Sequence, residues 1–228
     1  MKLNEYRKKR HFGVTPEPPG ASNPLKKGNE PLIYAVQEHM ATHLHYDFRL
    51  EWRGVLLSWA MPKGPSFDPA VKRLAVQTED HPVEYSDFEG VIPAGQYGAG
   101  TVMLWDRGTW RPEDADVDAS LQRGEIKFML QGEKLQGSWV LIRTRGFGKT
   151  ASRSAWLLIK HRDRYASSKD VTQEQPRSVA SRRLLADIAR DEGGDVERAS
   201  RVDPAGKGRR AARAKSAPGR IEPRGQRS

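Results

Sequence analysis

Cysteine is absent from the 228 residues. That excludes disulfides, thiolate metal sites and a cysteine nucleophile, so any bound metal must take nitrogen and oxygen ligands. Long apolar runs are missing too. No stretch approaches the ~18 residues of a membrane span, and the start, MKLNEYRKKRHF, lacks the apolar centre of a signal peptide. The expectation is a soluble, cytoplasmic protein. Apolar content is low, at 36% with a mean hydropathy of −0.76, so part of the chain is expected to stay outside a packed core. The remainder suffices for one substantial domain with tails.

What is there is unevenly charged. Residues 1–30 hold seven Lys/Arg and three acids, and residues 204–228 hold eight Lys/Arg and only Glu222. With a total of +10, the stretch between them sums to −1. A nearly neutral middle with basic ends suits a phosphate backbone, because each neutralised phosphate releases counterions.

From Pro31 the chain repeats short apolar runs parted by turn residues. LIYAVQ, HLHYDFRLEW, VLLSWAM, RLAVQTE, TVMLWD, IKFML, SWVLIRT and AWLLIKH each have strand length and composition. Arg53-Gly54, PKGPSFDP, IPAGQYGAG, the acidic DADVDAS segment and QGEKLQG lie between them. The pattern predicts a mainly β fold, a compact antiparallel β-barrel with a few short helices and basic flexible termini. Residues 1–30 read as a basic arm with at most a short helix, and 31–166 as the barrel core. Residues 167–192 read as an extension with one amphipathic helix over 176–190, whose stripe is Val179, Leu184, Leu185 and Ile188. Residues 193–228 read as a disordered basic tail.

The run HLHYDFRLEW carries the chemistry. His43, His45, Asp47, Arg49 and Glu51 alternate with Leu44, Tyr46, Phe48, Leu50 and Trp52, and a strand sends alternate side chains to opposite faces. One face is apolar; the other is predicted to point into the enclosed mouth of the barrel. Two imidazoles and a carboxylate bind a borderline divalent ion and leave coordination positions open for a substrate. His39 offers a further ligand. Arg49, about 7 Å beyond Asp47 on the same face, is suited to pair with a phosphate oxygen. Five such side chains would be costly to bury without partners. In KRLAVQTEDHPVEY, His81 stands at a strand end, placed to protonate a leaving group or contact an oxyanion. The Gly95, Gly98 and Gly100 spacing imitates a phosphate loop, but between β-runs it reads as a tight turn.

Together, EHMATHLHYDFRLEWRGVLLSWAMPKGPS, DPAVKRLAVQTEDHPVEYSDFEGVIPAGQYGAGTVMLWDRGTW and GEKLQGSWVLIRT closely resemble the 3′-phosphoesterase domain of bacterial DNA ligase D. That domain serves nonhomologous end joining and also occurs as a stand-alone protein. The resemblance runs from about Tyr6 to about Arg190. It implies a Mn²⁺-dependent enzyme, with Zn²⁺ or Co²⁺ as alternative ions, that heals 3′ ends of DNA or DNA/RNA primer–templates. Such an enzyme removes a 3′-terminal ribonucleoside as a phosphodiesterase, then the 3′-phosphate as a phosphomonoesterase, leaving a 3′-OH. By motif the metal ligands are His39, His45 and Asp47, while Arg49, His81 and Tyr85 bind and activate the scissile phosphate. Lys63, Arg73, Gln37, Glu79, Arg10 and Glu17 match positions around the substrate, and His43 becomes a supporting residue on the same face. A separate ATP-dependent DNA ligase and a Ku-type end-binding protein are the implied partners. One departure is His11 in KRHF, where the family has Asp; it bears first on the phosphomonoesterase step.

Two other readings stand beside this one. His45-x-Asp47 with a distal His imitates the two-His-one-carboxylate centre of a jelly-roll iron oxygenase. A barrel with basic tails also fits a non-catalytic nucleic-acid-binding module.

Overall fold

A computed structural model describes residues 3–20, 30–144 and 155–204. All eight sequence runs are strands: β1 (Leu32–Met40), β2 (Leu44–Trp52), β3 (Val55–Met61), β4 (Arg73–Gln77), β7 (Gly100–Pro112), β8 (Glu125–Gly132), β9 (Gln136–Arg143) and β10 (Ala155–Lys160). They pair antiparallel in the order β1-β2-β3-β4-β10-β9-β8-β7, and β7 pairs back with β1. The result is a closed eight-strand barrel. Two short strands, β5 (His81–Pro82) on β3 and β6 (Gly90–Ile92) on β7, lie outside this ring.

Alternation decides which residues fill the barrel. Tyr34 and Val36 of β1, Tyr46, Phe48 and Leu50 of β2, and Leu57 and Trp59 of β3 join Phe128, Trp139, Leu141, Trp156 and Leu158 in one apolar cluster. Trp59 and Trp156 meet edge to face with centroids 5.9 Å apart, and Phe48 stacks on Phe128 at 5.9 Å. The inward parity of β7 changes across a register shift opposite Val36/Gln37, with Met103 and Trp105 inward before it and Trp110 after it. Arg53 and Gly54, at φ 50 and 77, make the two-residue turn that joins β2 to β3.

The helices are α1 (Asn4–Lys8), α2 (Val117–Arg123), α3 (Val171–Glu174), α4 (Leu185–Asp191) and α5 (Val196–Val202). The acidic DADVDAS segment, read from sequence as a connector, forms most of α2. Asp116 accepts from the Ala119 amide at its start, and Gly124 ends it at φ 82.

Three expectations are corrected. The helix expected over 176–190 is confined to α4, because Val179 sits in a turn and packs instead on Ala35 and Leu104. The tail expected from residue 193 begins with α5, whose Ala199 joins the barrel cluster beside Leu185 and Ile188. Asp203 then accepts from the α4 amides of Leu185 and Ala186 at 3.3 and 2.9 Å. The first part of the arm is not loose: Tyr6 is fully buried, and residues 3–20 pack on the barrel's outer surface. The basic stretch 205–228 lies outside the described residues.

Candidate metal and phosphate site

The β1–β2 ladder assembles the ligand set. His39 stands directly opposite His45, and Gln37 opposite Asp47. Residues opposite each other in a ladder share a face, so the two imidazoles come within 4.7 Å, centroid to centroid. One ligand atom from each of His39, His45 and Asp47 lies within 4.8 Å of the others. His39 Nδ1 and His45 Nε2 each stand 3.7 Å from Asp47 Oδ2.

Backbone carbonyls select the ring tautomers. His39 Nε2 lies 2.9 Å from the Gly98 oxygen, and His45 Nδ1 lies 3.0 Å from the His43 oxygen. A carbonyl only accepts, so those nitrogens carry the protons. The opposite nitrogens keep their lone pairs and face Asp47, an arrangement that metal-binding histidines commonly have. Burial opposes the charge of Asp47, but Arg49 and the two imidazoles hold its carboxyl well below the usual range. Burial likewise opposes charge on His45, yet the neighbouring Asp47 carboxylate raises it above the ordinary value, so a proton and a metal ion compete for Nε2. The donor set fits a divalent ion of borderline softness.

This polar face does not point into the barrel mouth. Tyr46, Phe48 and Leu50 take the interior, and Asp47 and Arg49 take the outside. A filled barrel has no room for five polar groups. Arg49 is buried instead against a 3-10 turn at Val83–Asp87, lying over its Tyr85 ring, with Asp47 buried beside it and His45 half-buried. β2 begins at Leu44, so His43 falls in the hairpin loop, exposed, and contributes its carbonyl rather than its ring.

Arg49, 2% exposed, forms the next link. Its Nη2 donates to Asp47 Oδ2 at 3.3 Å, Nε to Gln37 Oε1 at 2.7 Å and Nη1 to Ser58 Oγ at 2.8 Å. These bonds use three of the five N–H groups of a guanidinium. Gln37 is itself held, donating to the carbonyls of Tyr85 and Phe88 at 2.9 and 2.8 Å. Ser58 Oγ lies 3.3 Å from His81 Nδ1, which also reaches the Glu79 carbonyl at 2.9 Å. His81 Nε2 therefore accepts, and Arg10 Nη2 stands 3.2 Å away. Burial, then Arg49 and Arg10, push His81 well below its ordinary value. In this state it is neutral and holds no proton on Nε2.

The arm completes the network. Arg10 donates to Glu17 Oε1 at 2.8 Å and to Glu79 Oε1 at 3.3 Å, and Tyr85 donates to the same Glu17 oxygen at 3.0 Å. Burial, then Glu17, raise the Tyr85 phenol, which stays protonated. Thr15 donates to Glu17 Oε2 at 2.9 Å, and Lys9 to Glu79 Oε2 at 3.1 Å. Arg10 also lies over the Tyr6 ring at 3.9 Å, and Arg49 over Tyr85 at 4.8 Å.

Ten of the twelve residues singled out from sequence are thus linked in one region: His39, His45, Asp47, Arg49, Gln37, His81, Glu79, Tyr85, Arg10 and Glu17. Lys63, exposed in the turn after β3, and Arg73, on β4 with the parity of core residue Ala75, do not join this network among the described residues. The His11 side chain is exposed. Sequence reading missed Ser58, Thr15, Tyr6 and the Gly98 carbonyl. Ser58 had one signal, a lone hydroxyl within the apolar run VLLSWAM. It also missed Arg198 of α5, which donates to the oxygens of Ala41 and Thr42 in the His39–His45 hairpin. A groove of about 870 Å³ lined by Trp52, Trp110 and Arg111 contains none of the ligand residues.

Residues 37–143 match the family described as the DNA Ligase D 3′-phosphoesterase domain. The chain thus carries a DNA ligase D 3′-phosphoesterase domain. It is 55% identical over 186 residues to the multifunctional non-homologous end joining protein LigD of Pseudomonas aeruginosa, covering 80% of this chain and 22% of that protein. The corresponding proteins of Mycobacterium tuberculosis and Mycolicibacterium smegmatis are 46% and 45% identical, over 64% of this chain and 19% of theirs. The chain spans about a fifth of the length of these relatives. Among the described residues, no helix is long and apolar enough to cross a membrane.

Proposed function

We propose that the chain is a metal-dependent phosphoesterase that heals 3′ ends of DNA or DNA/RNA primer–templates. It removes a terminal ribonucleoside, then the 3′-phosphate, and leaves a 3′-OH for repair by end joining. One observation carries the reading: a two-His-one-carboxylate cluster whose carboxylate is shared with a buried arginine, in a chain that carries a DNA ligase D 3′-phosphoesterase domain. The same ligands suit an iron oxygenase. Two buried guanidiniums within one hydrogen-bonded network favour an anionic substrate instead.

His39, His45 and Asp47 hold the ion, which we take to be Mn²⁺, and which supplies Lewis-acid charge to a phosphoryl oxygen when bound. The two uncommitted N–H groups of Arg49 address a nonbridging oxygen beside Asp47, neutralising charge as the phosphorus is attacked. Gln37 and Ser58 keep that guanidinium in place, so little reorganisation is needed at the moment of reaction. Arg10 is steered by Glu17 and Glu79 toward the same region. A phosphate group beside His81 adds negative charge and draws a proton onto Nε2, turning the neutral acceptor into a donor for the departing oxygen. Tyr85 orients Glu17 and, through it, Arg10. Lys63, exposed beyond β3, contacts the strand farther from the scissile bond. A separate ATP-dependent ligase and a Ku-type end binder are the partners, and the cytoplasm is the site of action.

The test is Mn²⁺-supported digestion of a labelled primer–template ending in one ribonucleotide, with products resolved as 3′-phosphate and 3′-hydroxyl. The wild type should yield the first and then the second, and His45→Ala neither, with DNA affinity only modestly reduced. Equal turnover by the two proteins would overturn the site. Binding without turnover by the wild type would leave a nucleic-acid-binding module.

A further inference from the structure

We infer that Tyr97 forms a stacking subsite for the nucleobase of the 3′-terminal nucleotide. The inference rests on the phosphoesterase reading above and adds a residue which that reading does not use.

Tyr97 is the one Phe, Tyr or Trp side chain that is exposed among the described residues, at 50%. Half of the ring is open to solvent, enough for a second planar group to lie against it. Its position is specific. It sits in the loop between β6 and β7, where Gln96 bonds back to Pro93 at 3.2 Å and Ala99 to Gln96 at 3.1 Å. The next residue, Gly98, gives the carbonyl that fixes the tautomer of His39. A Cβ on Gly98 would lie 3.8 Å from His39 Cε1. The ring is therefore tethered one residue from a metal ligand.

It is also braced from the arm. The Lys9 ammonium stands 4.5 Å from the ring centroid and donates to the phenol oxygen at 3.3 Å. The Arg10 guanidinium lies 5.7 Å from the same centroid. Lys9 and Arg10 both pair with Glu79, which precedes His81 by two residues. The ring thus bridges the two halves of the site, with the metal ligands on one side and the arm's cations on the other, and half its surface still faces solvent. A planar π-face held rigid beside a phosphate site accepts any base by stacking, without reading its identity. Removing such a stack costs roughly tenfold or more in binding.

The experiment compares two primer–templates that end in one ribonucleotide, one with its terminal base and one with a base-free terminal ribose. Single-turnover kcat/KM is measured for wild type, Tyr97→Leu, Tyr97→Phe and Tyr97→Trp, with Mn²⁺ affinity measured in parallel. Wild type should prefer the base-bearing end by roughly tenfold. Tyr97→Leu should cut both ends at the base-free rate, while the Phe and Trp variants keep the preference and all four bind Mn²⁺ alike. A Leu variant that still prefers the base, or a wild type without preference, overturns the subsite and leaves the phosphoesterase reading intact. A wild type that cuts neither end, as His45→Ala should, overturns both.

Discussion

Arg198 donates to the carbonyl oxygen of Thr42 at 2.7 Å, across 156 positions of sequence. The same Nη2 reaches the Ala41 oxygen at 2.6 Å. Both carbonyls lie in the short loop that joins His39 to His45, so a helix near the far end of the described chain fixes the spacing of two ligands.

Arg198→Ala should therefore weaken Mn²⁺ binding by about tenfold, the low end of what groups supporting metal ligands contribute. Arg198→Lys should recover part of the loss. The thermal midpoint should shift little, since the side chain meets the loop at the surface. Calorimetric or paramagnetic-resonance titration with Mn²⁺ checks this, and an unchanged affinity removes the role.

The neutral His81 predicts a pH effect on stability. Its folded value lies well below the ordinary one, so the unfolded chain takes up the proton first as pH falls. Stability from this group is complete above about pH 6.5 and is lost progressively below it, down to the folded value. Urea unfolding at pH 7.5 and 5.5 should show a smaller drop for His81→Gln than for wild type. Equal drops would mean that His81 does not titrate in this way.

Asp106 is the polar anchor inside the barrel. It accepts from the Tyr34 hydroxyl at 2.6 Å and from the amides of Lys134 and Leu135 at 2.9 and 2.8 Å. Asp106→Ala strands buried donors, which should cost about 3 kcal/mol or more and about 6–12 °C in Tm. Turnover per folded molecule should stay near wild type, because Asp106 touches none of the site residues. Calorimetry with activity normalised to folded protein separates the two effects.

Residues 205–228 carry eight Lys/Arg and one Glu. Their deletion should lower DNA affinity and flatten the dependence of log K on log salt by about 0.9 for each phosphate no longer neutralised. Metal-dependent cleavage at saturating DNA should persist. An unchanged salt slope would show that this stretch does not touch the phosphate backbone.

Much of this was legible in the sequence because strands advertise themselves with a period of two. The eight apolar runs are the eight barrel strands, and the HLHYDFRLEW alternation holds from Leu44 onward. The metal set was partly legible: periodicity offered His43 and His45 equally, the family resemblance set His43 aside, and the hairpin loop, which a repeat of two cannot see, is the physical reason. The direction of the polar face was misjudged because alternation separates two faces without saying which is inside. The volume of Trp59, Trp139, Trp156 and Phe128 decided that. α5 was hidden by Arg- and Ala-rich composition, yet Asp195 accepts from the Arg198 amide at 3.0 Å and starts the helix. Ser58, Gly98 and Arg198 act through partners distant in sequence, which no local pattern records.

Arg10 and Glu17 come from the arm, not from the ring of strands. A fragment trimmed to begin at residue 31 would keep every barrel strand and all three histidine and aspartate donors, and should still load its ion. It would do so without the guanidinium opposite His81 or the carboxylate that restrains Tyr85. Such a protein would be a sound vessel with half its grip missing, and its silence would say nothing about the ion.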